Sequence, residues 1–226
     1  MSNIALILGA GSGTRMKSEK SKMLLELMGK TVIERSVQAF LEVPEVDEII
    51  VAGREQDIDI YKELLDDEKV TFVIGGATRQ QSVQNAVETI DEADYLLIHD
   101  GARPFIKVKD IRAALQAAKE YGAAAVGVPV KDTIKVIDKD NFVVNTPDRA
   151  TLVAVQTPQV FPFEAYKAAL EKAMQDNKEF TDDCGIYEYS GGKIKMVEGE
   201  YTNIKITTPD DIAVGENILL QQIRRG

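Results

Sequence analysis

Short runs of apolar residues alternate with stretches of helical spacing along the first part of the chain. The apolar runs predict strands at residues 3–8, 48–52, 70–74, 95–99 and 123–129. Between them, apolar residues recur at helical spacing and predict helices at residues 32–41, 58–65, 80–90 and 111–121. Strands that alternate with helices are typical of a mostly parallel, twisted sheet with helices on both faces. We therefore expect an α/β fold.

The pattern changes after Pro129, where the regular alternation ends. Residues 130–137 and 142–145 have extended patterns, and the turn-forming segment Asp-Lys-Asp-Asn at 138–141 joins them. This predicts a β-hairpin arm, at about residues 130–150, that projects from the domain. Farther along, the sequence predicts a helix at 164–174, helix starts at 181–183 and 208–211, and a short strand at 202–207. Because no repeat or linker interrupts the chain, we expect residues 1–226 to form a single domain.

Composition narrows the classes of function. The chain has 226 residues and 44% hydrophobic content, enough for a large α/β core, and no apolar run of the ~18 residues that a membrane span requires. A net charge of −10 argues against non-specific nucleic-acid binding, which needs an excess of Lys and Arg over a broad surface. The single cysteine, Cys184, cannot form an internal disulfide, and the N-terminus lacks the zones of a signal peptide. We expect a cytoplasmic protein that binds neither nucleic acid nor membrane.

A glycine loop follows the first predicted strand and is the most informative stretch of the chain. It is Gly-Ala-Gly-Ser-Gly-Thr-Arg-Met at residues 9–16, and the cations Arg15 and Lys22 lie in it or just after it. Glycines let backbone N–H groups approach an anion, and cations attract phosphate, so the loop indicates a nucleoside triphosphate. The dinucleotide fingerprint fails because Thr14 or Met16 stands where it needs glycine, and a Walker loop fails at Thr14. The alternative is a tight turn without a ligand.

Polar residues at other strand exits are further candidates, because ligands of open α/β sheets bind beyond the carboxyl ends of the strands. Asp100 is placed to hold Mg²⁺ or a ribose hydroxyl, and it is equally well placed to start a turn and pair with Arg103. Gly76 could approach a base or simply precede a helix. His99 is the only histidine of the sequence and cannot build a zinc site with a single cysteine, so we interpret it as a structural residue.

Taken in order, several short motifs resemble those of one enzyme family. After the glycine loop they are Gly75-Gly76 with Arg79 and Ser82, the segment 99–104, Asp132-Thr133 with Lys135, Asp148-Arg149, the segment 156–159, Thr181-Asp182-Asp183, Val197-Glu198-Gly199 and Asn203-Ile204-Lys205. With this ordered set the chain resembles the 2-C-methyl-D-erythritol 4-phosphate cytidylyltransferases, which join a methylerythritol phosphate to CTP in non-mevalonate isoprenoid synthesis. The resemblance extends over essentially the whole length.

The resemblance implies a Rossmann-like nucleotidyltransferase that works as a homodimer, with the hairpin arm embracing the partner subunit. Its catalytic residues would be Arg15, Lys22, Arg149 and Lys205. Of these, Arg15 and Lys22 would stabilise the charge that develops on the α-phosphate of CTP. Lys205, together with Arg149 and Thr133 from the neighbouring chain, would hold the attacking sugar phosphate. Without the resemblance, these last three residues are interpreted as solvated polar side chains.

The resemblance also implies which residues bind each substrate and the metal. The nucleotide would be bound by Gly9, Ala10, Gly11, Gly13, Gly76, Arg79, Ser82 and Asp100. The sugar phosphate would be bound by Arg103, Thr133, Arg149, Thr157 and Lys205. Asp100 is the candidate ligand of Mg²⁺ or another divalent cation.

Two alternatives remain open from the sequence. One is a cytidylyltransferase of the same fold that acts on ribitol 5-phosphate, because the motifs after Thr133 do not separate the two acceptors. The other is a nucleotide-binding regulator without catalysis, and the retention of every phosphate-facing cation counts against it. The chain also has Ser-Lys-Met at 21–23, where the family usually has Pro-Lys-Gln.

Overall fold

The computed structural model describes residues 2–11 and 21–225 and is built around one central sheet. The strands of this part are β1 (Asn3–Leu8), β2 (Glu26–Leu27), β3 (Lys30–Thr31), β4 (Glu48–Gly53), β5 (Val70–Ile74), β6 (Tyr95–Asp100), β7 (Ala124–Pro129), β8 (Val136–Ile137), β9 (Val143–Asn145), β10 (Val153–Pro162) and β11 (Lys195–Glu198). The central sheet has the order β11-β7-β10-β6-β1-β4-β5. Its neighbours are parallel except β10, which runs antiparallel to β6 and β7. The predicted mostly parallel sheet is confirmed.

Helices lie on both faces of the sheet. They are α1 (Val32–Leu41), α2 (Glu55–Leu64), α3 (Arg79–Val87), α4 (Val108–Tyr121), α5 (Phe163–Gln175), α6 (Asp183–Tyr189) and α7 (Asp210–Arg225), with 3-10 turns at Lys22–Leu24 and Arg149–Thr151. Helix α1 begins with a capping box in which Thr31 and Glu34 each accept a backbone N–H of the other, satisfying donors that a helix start leaves unpaired. Among the helices described here, none combines the length and the apolar character needed to cross a bilayer.

Alternate residues of the buried strands pack against opposite helix layers. In β1, Ala5 and Ile7 belong to the core that includes residues of α1 and α4, whereas Leu6 and Leu8 belong to the core that includes residues of α3 and α5. Every residue of β1 is buried, as expected for a parallel sheet covered on both faces. The two apolar cores therefore fix the sheet, and polar residues are concentrated where the strands end.

The sequence missed β10 and β11 and misplaced some element ends. In β10 the polar segment 156–159 interrupts the apolar alternation, and the register with β7 shifts between Val155 and Gln159 as in a β-bulge. A strand with such an interruption does not give the period of two that identifies strands. Smaller differences are the extension of β6 to Asp100 and the end of α3 at Val87.

The predicted strand at 202–207 is wrong. Among the described residues this segment has no strand partner, and it crosses the end of the sheet as an irregular loop. Its backbone is held by separate hydrogen bonds, from Asn203 N–H to Glu200 O at 3.0 Å and from Ile206 N–H to Ala102 O at 2.8 Å. Ile206 is fully buried, which explains the apolar signal without a strand.

The structure has a short antiparallel hairpin within residues 130–150, the segment that the sequence predicts to be an arm. β8 and β9 are antiparallel, and Asp138 Oδ1 accepts hydrogen bonds from the N–H groups of Asp140 and Phe142 across the turn. Asn141 has a φ of +66°, a left-handed conformation that asparagine tolerates better than most residues. Large apolar side chains of the arm are exposed, and Phe142 reaches 71%. The arm therefore packs little against the rest of its own chain.

Candidate active site

A cleft of about 520 Å³ opens at the carboxyl ends of β1, β5 and β6. We call it the carboxyl-edge cleft. The predicted site residues that line it are Ala10, Gly11, Lys22, Gly76, Arg79, Ser82, Asp100 and Lys205. They come from four separate stretches of the sequence, and the sheet brings them together at the edge where α/β proteins bind ligands. Gly13 and Arg15, also predicted site residues, lie outside the described residues.

The described lining of the cleft is strongly positive, although the chain as a whole carries a net charge of −10. Four cationic side chains line it, Lys22, Arg54, Arg79 and Lys205, against one carboxylate, Asp100. Of these cations Arg54 was not predicted; it follows β4 and also pairs with Asp57 at 2.6 Å. A concave surface with this excess of positive charge attracts anions such as phosphates.

Asp100 is the centre of this charge cluster. Its carboxylate lies 2.8 Å from Lys205 Nζ, 3.4 Å from Arg79 Nε and 3.7 Å from Arg103 Nε. Burial alone would raise the pKa of Asp100, but Arg79, Lys205 and Arg103 outweigh it and hold that pKa well below its usual range. The sequence left open whether Asp100 pairs with Arg103 or serves a ligand, and the structure gives it three cationic partners at the cleft.

Arg79 is fixed between two carboxylates. Its Nη2 donates to the fully buried Asp183 at 2.7 Å, and its Nε faces Asp100. Burial would lower the pKa of Arg79, but Asp183 and Asp100 more than offset this and raise it. Tyr166 donates to the other oxygen of Asp183 at 2.6 Å. Sequence reasoning placed Asp183 at a helix start and in one of the family motifs but assigned it no role, because nothing local shows that it is buried opposite Arg79.

The exits of β1 and β5 are packed against each other. A Cβ on Gly75 would clash with Ala10 Cβ and would approach Ser82 Oγ, so only glycine lets these two loops come so close. Ser82 Oγ accepts from Gly76 N–H at 3.0 Å and donates to Thr78 O at 2.9 Å. These contacts set the position of the backbone that lines one side of the cleft.

Gly9, by contrast, supports the loop from below and does not line the cleft. Its N–H donates to Ala52 O at 2.7 Å, and its carbonyl accepts from the Tyr61 hydroxyl at 3.2 Å. Both of its backbone groups are therefore engaged inside the protein. Gly11 differs, because no atom of the described residues lies within 4 Å of where its Cβ would be.

The loop that carries Lys205 is held by a buried amide. Asn203 is fully buried, and its Nδ2 donates to Gln156 Oε1 at 3.1 Å and to Thr157 O at 3.2 Å. Arg103 Nη1 donates to Asn203 O at 2.9 Å. Arg103 and Thr157, both predicted to bind the sugar phosphate, thus lie beneath the cleft lining, and Thr157 is 3% exposed.

Lys22 connects the start of the chain to this same loop. Its Nζ donates to Ile206 O at 3.3 Å. Ser21, before it, begins the 3-10 turn and accepts from Met23 N–H. Met23, where the family pattern usually has Gln, is 1% exposed and belongs to the apolar core.

The arm residues are not brought to the cleft within one chain. Thr133 and Arg149 are exposed and do not line it. Arg149 Nη1 donates to Lys131 O at 2.7 Å, at the base of the arm. The single chain therefore assembles most of the predicted nucleotide site but only part of the predicted acceptor site.

His99 comes directly before Asp100 at the end of β6, and it is completely buried. Burial lowers its pKa to about 4, so the ring is neutral at physiological pH. Phe40 packs against it with ring centroids 5.0 Å apart. These observations agree with the interpretation of His99 as a structural residue.

The donor set fits a metal ion that arrives with phosphates. Within the described ranges, no cluster of three or more His, Cys, Asp and Glu side chains could hold a metal by itself. Asp100 supplies one ionised carboxylate at the cleft, and Mg²⁺ is commonly held by one or two carboxylates together with substrate phosphates. A resident all-protein site is therefore not built by these residues, whereas a shared one with a nucleotide is compatible with them.

Comparison with known proteins places this geometry in one family. The family model described as IspD, 2-C-methyl-D-erythritol 4-phosphate cytidylyltransferase, matches residues 3–221. The chain is 45% identical over 221 residues to the 2-C-methyl-D-erythritol 4-phosphate cytidylyltransferase of Caldanaerobacter subterraneus, covering 95% of this chain and 97% of that protein. The protein of the same name from Clostridium perfringens strain SM101 is 43% identical over 220 residues, which cover 96% and 98% of the two chains. The crystal structure of 4-diphosphocytidyl-2C-methyl-D-erythritol synthase from Anaerococcus prevotii superimposes with a TM-score of 0.88 at 35% identity, over 97% of this chain and 96% of that one.

Proposed function

The chain belongs to the 2-C-methyl-D-erythritol 4-phosphate cytidylyltransferase family, and we propose that its carboxyl-edge cleft transfers the cytidylyl group of CTP. The acceptor is 2-C-methyl-D-erythritol 4-phosphate, and the products are 4-diphosphocytidyl-2-C-methyl-D-erythritol and pyrophosphate. The protein is a nucleotidyltransferase of isoprenoid synthesis, as the resemblance implied.

The observation that carries the assignment of the cleft is its charge. Among the described residues of this acidic protein, four cations and one ionised carboxylate line a cavity at the carboxyl ends of parallel strands. A triphosphate and a phosphate monoester together bring a large negative charge to one place. A site without an excess of cationic side chains would repel them. A cleft of about 520 Å³ lies within the range of small-molecule sites.

On the nucleotide side, the assigned residues are those of the two packed loops. Ala10, Gly11, Gly76 and Ser82 line the cleft, and the backbone of the first three and the hydroxyl of Ser82 would contact the cytidine. Gly13 stays a prediction from the sequence, and Gly9 would act by holding the loop. Arg79 would act at this site by holding Asp100 in place, since both ends of its guanidinium are occupied by carboxylates.

The reaction forms one P–O bond and breaks another. A phosphate oxygen of the acceptor attacks the α-phosphorus of CTP, and the bond to the bridging oxygen of the β-phosphate breaks, so that pyrophosphate leaves with that electron pair. The acceptor is a phosphate monoester with a second pKa of about 6, so it is largely deprotonated at neutral pH and needs no general base. Catalysis then consists of alignment and stabilisation of charge. Lys22 would supply that stabilisation together with Arg15.

The acceptor would be held from two chains. Lys205 approaches from the loop above Asn203, and the partner subunit's Thr133 and Arg149 would complete the pocket in a homodimer. Two observations support this arrangement: the arm that carries Thr133 and Arg149 does not reach its own cleft, and it exposes large apolar side chains. Exposed apolar surface of this kind is typical of protein–protein contacts.

A divalent cation completes the proposal. Asp100 would hold Mg²⁺ together with the phosphates of CTP, and the ion would neutralise phosphate charge near the reacting phosphorus. Of the protein's own residues, Arg79, Lys205 and Arg103 keep Asp100 ionised for this contact. A single domain over residues 1–226 and a cytoplasmic location stay predictions from the sequence.

The decisive experiment incubates the purified protein with Mg²⁺, one nucleoside triphosphate and one sugar phosphate at a time, and measures pyrophosphate release. We expect release with CTP and 2-C-methyl-D-erythritol 4-phosphate, and much less with ATP, GTP or UTP. Ribitol 5-phosphate is the matched alternative acceptor. Faster release with ribitol 5-phosphate would transfer the assignment to the other cytidylyltransferase class, and no release with any pair would refute the proposal.

A further inference from the structure

One imidazole connects three residues beneath the carboxyl-edge cleft. His99 Nε2 lies 3.1 Å from the carbonyl oxygen of Arg103, and His99 Nδ1 lies 2.9 Å from Thr157 Oγ1. The same hydroxyl oxygen of Thr157 accepts the N–H of Asp100 at 3.0 Å. The His99 ring, the Thr157 hydroxyl and the Asp100 N–H are buried, so water does not compete for the hydrogen bonds at Thr157.

The identity of the partners determines the tautomer of the ring. A carbonyl oxygen can only accept, so the nitrogen that faces Arg103 O must carry the proton, and that nitrogen is Nε2. Nδ1 must then be the acceptor, because Thr157 Oγ1 already accepts the N–H of Asp100 and no other described residue accepts its own buried proton. Thr157 Oγ1 is the group that faces it, and a hydroxyl has one proton to give. The proton of the Thr157 hydroxyl therefore points at His99 and away from the cleft.

We propose that His99 is a positioning residue, which as the neutral Nε2–H tautomer takes the hydroxyl proton of Thr157 and thereby fixes Asp100 and Arg103 relative to each other. Thr157 accordingly donates no hydrogen bond to the sugar phosphate and acts on the reaction only through its neighbours. This deepens the proposed function, on which it rests for the identity of the substrates.

The effect on the site follows from what Asp100 holds. Its carboxylate pairs with Lys205 at 2.8 Å and with Arg79 at 3.4 Å, so a shift of the β6 end moves two cations of the cleft. The His99 bond to Arg103 O closes the turn that follows β6, and Arg103 in turn donates to the loop of Lys205. The Thr157 hydroxyl and the His99 ring, which lie beneath the carboxyl-edge cleft, thus determine the geometry of its acceptor side.

The first test is spectroscopic and uses the unmodified protein. Because His99 is the only histidine of the sequence, a long-range ¹H–¹⁵N spectrum of uniformly labelled protein shows one imidazole without any assignment work. We expect a protonated Nε2 and an unprotonated Nδ1 at neutral pH. An Nδ1–H tautomer, a mixture of tautomers or an imidazolium would overturn the proposal. The result is independent of turnover, so it stays interpretable even if the assignment of the substrates fails.

The second test is kinetic and compares two substitutions of one residue. Thr157→Val keeps the shape but removes the hydroxyl, whereas Thr157→Ser keeps the hydroxyl. We expect Thr157→Val to lower kcat by about 10²-fold with little change in the KM for the sugar phosphate, since displaced groups cost rate more than ground-state affinity. Thr157→Ser should recover most of that loss. The tautomer signal of His99 should also become mixed in Thr157→Val and stay single in Thr157→Ser.

The contrary kinetic result is equally clear. If Thr157 bound the sugar phosphate directly, Thr157→Val would raise the KM for that substrate and leave kcat largely intact, which would overturn the proposal. An unchanged kcat and KM would overturn it as well. Thr89→Val is the control for loss of a hydroxyl, because Thr89 is an exposed residue just beyond the end of α3 that bonds only to Ala86 O in the described chain. Should Thr157→Val fail to fold, the tautomer of the unmodified protein still decides the question.

Discussion

The carboxyl-edge cleft and the hairpin arm both carry residues of the proposed site, and they are built in opposite ways. In the cleft, charged side chains have buried partners, and Arg79 lies between Asp100 and the fully buried Asp183. In the arm, the side chain of Arg149 is exposed and donates, within the described chain, to one group, the carbonyl of Lys131. Preorganised charge is what phosphoryl-type transfer requires. The cleft therefore has this order within one chain, whereas the arm would obtain it on contact with a partner.

Removing a cation of the cleft should have the largest effect of all. Lys22→Met keeps the length of the side chain and removes its charge beside the loop of Lys205. We expect kcat to fall by about 10²–10⁴-fold, because one transition-state donor is lost, while the free energy of unfolding changes little. Steady-state kinetics with CTP and 2-C-methyl-D-erythritol 4-phosphate, beside urea unfolding, measures both quantities.

The control for Lys22→Met is Lys62→Met on the surface of α2. Lys62 is exposed and pairs only weakly with the exposed Asp59, so this variant should keep the kcat of the unmodified protein. Equal kcat values for Lys22→Met and the unmodified protein would remove Lys22 from the catalytic residues and leave the cleft as a binding site alone.

Mixing two inactive variants tests whether the arm works in the partner subunit. Arg149→Ala and Lys22→Ala should each lower kcat by about 10²-fold or more when measured alone. In mixed dimers, one site combines the intact cleft of one chain with the intact arm of the other. After complete exchange of subunits, about a quarter of all sites should be intact, which follows from two-fold symmetry. Activity as a function of mixing ratio measures this recovery.

Subunit exchange must be verified independently, with two distinguishable tags and native mass spectrometry. If mixed dimers form and activity does not recover, the arm does not supply Arg149 to the partner's cleft. Phe142→Ser provides a companion measurement, because loss of an exposed apolar side chain should weaken the dimer without destabilising the monomer.

A pair of glycine substitutions separates the packing of the cleft from its contact with the nucleotide. Gly75→Ala should destabilise the fold by about 1–3 kcal/mol, because the new Cβ collides with Ala10 and approaches Ser82. Among the described residues, the new Cβ of Gly11→Ala meets nothing within 4 Å, so this variant should change the free energy of unfolding by less than about 0.5 kcal/mol. Since Gly11 lines the cleft, its variant should instead raise the KM for CTP. If instead Gly11→Ala destabilised the fold and Gly75→Ala raised only the KM for CTP, the cleft would be loosely packed, like the arm.

The parts of the fold that could be predicted are those with a clear hydrophobic period. β1, α1 and the hairpin turn at Asp138 each have a local signal that no distant residue alters. β10 could not be predicted in the same way, because its polar segment 156–159 is stabilised by residues far away in the sequence. Gln156, for example, bonds to Glu200 and Asn203.

From the sequence, candidate residues of the site could be named, but their depth in the fold could not be predicted. Ala10 and Gly11 of the glycine loop, Asp100 and Lys205 belong to motifs, and the sheet brings these four residues to one cleft. No local pattern indicates that Asp183 is buried behind Arg79 or that Thr157 faces His99, because burial and partners at such separations are properties of the fold. The residues that orient the site are therefore harder to find than the residues that line it.

The smallest expected effect concerns the loop that joins the two regions. Glu200 lies between Lys107 Nζ at 2.6 Å and Lys109 Nζ at 2.5 Å, and the adjacent Tyr201 donates to Pro129 O at the base of the arm. Hydrogen bonds from Lys107 and Lys109 lower the pKa of Glu200 from 4.5 to about 2. A carboxylate with a lowered pKa in the folded state stabilises the protein above its unfolded pKa, and this contribution is lost as the pH falls toward the folded value.

Glu200→Gln should therefore destabilise the fold by about 1 kcal/mol at neutral pH, a modest value because the ion pairs are partly exposed. The difference between the variant and the unmodified protein should shrink as the pH falls from 4.5 to about 2, since Glu200 itself becomes neutral over that range. Urea unfolding across this range measures it, with Glu198→Gln as control for an exposed carboxylate that has no ion-pair partner in the described chain. A pH-independent difference would mean that Glu200 acts through its shape or backbone, and that charge does not hold the loop between cleft and arm.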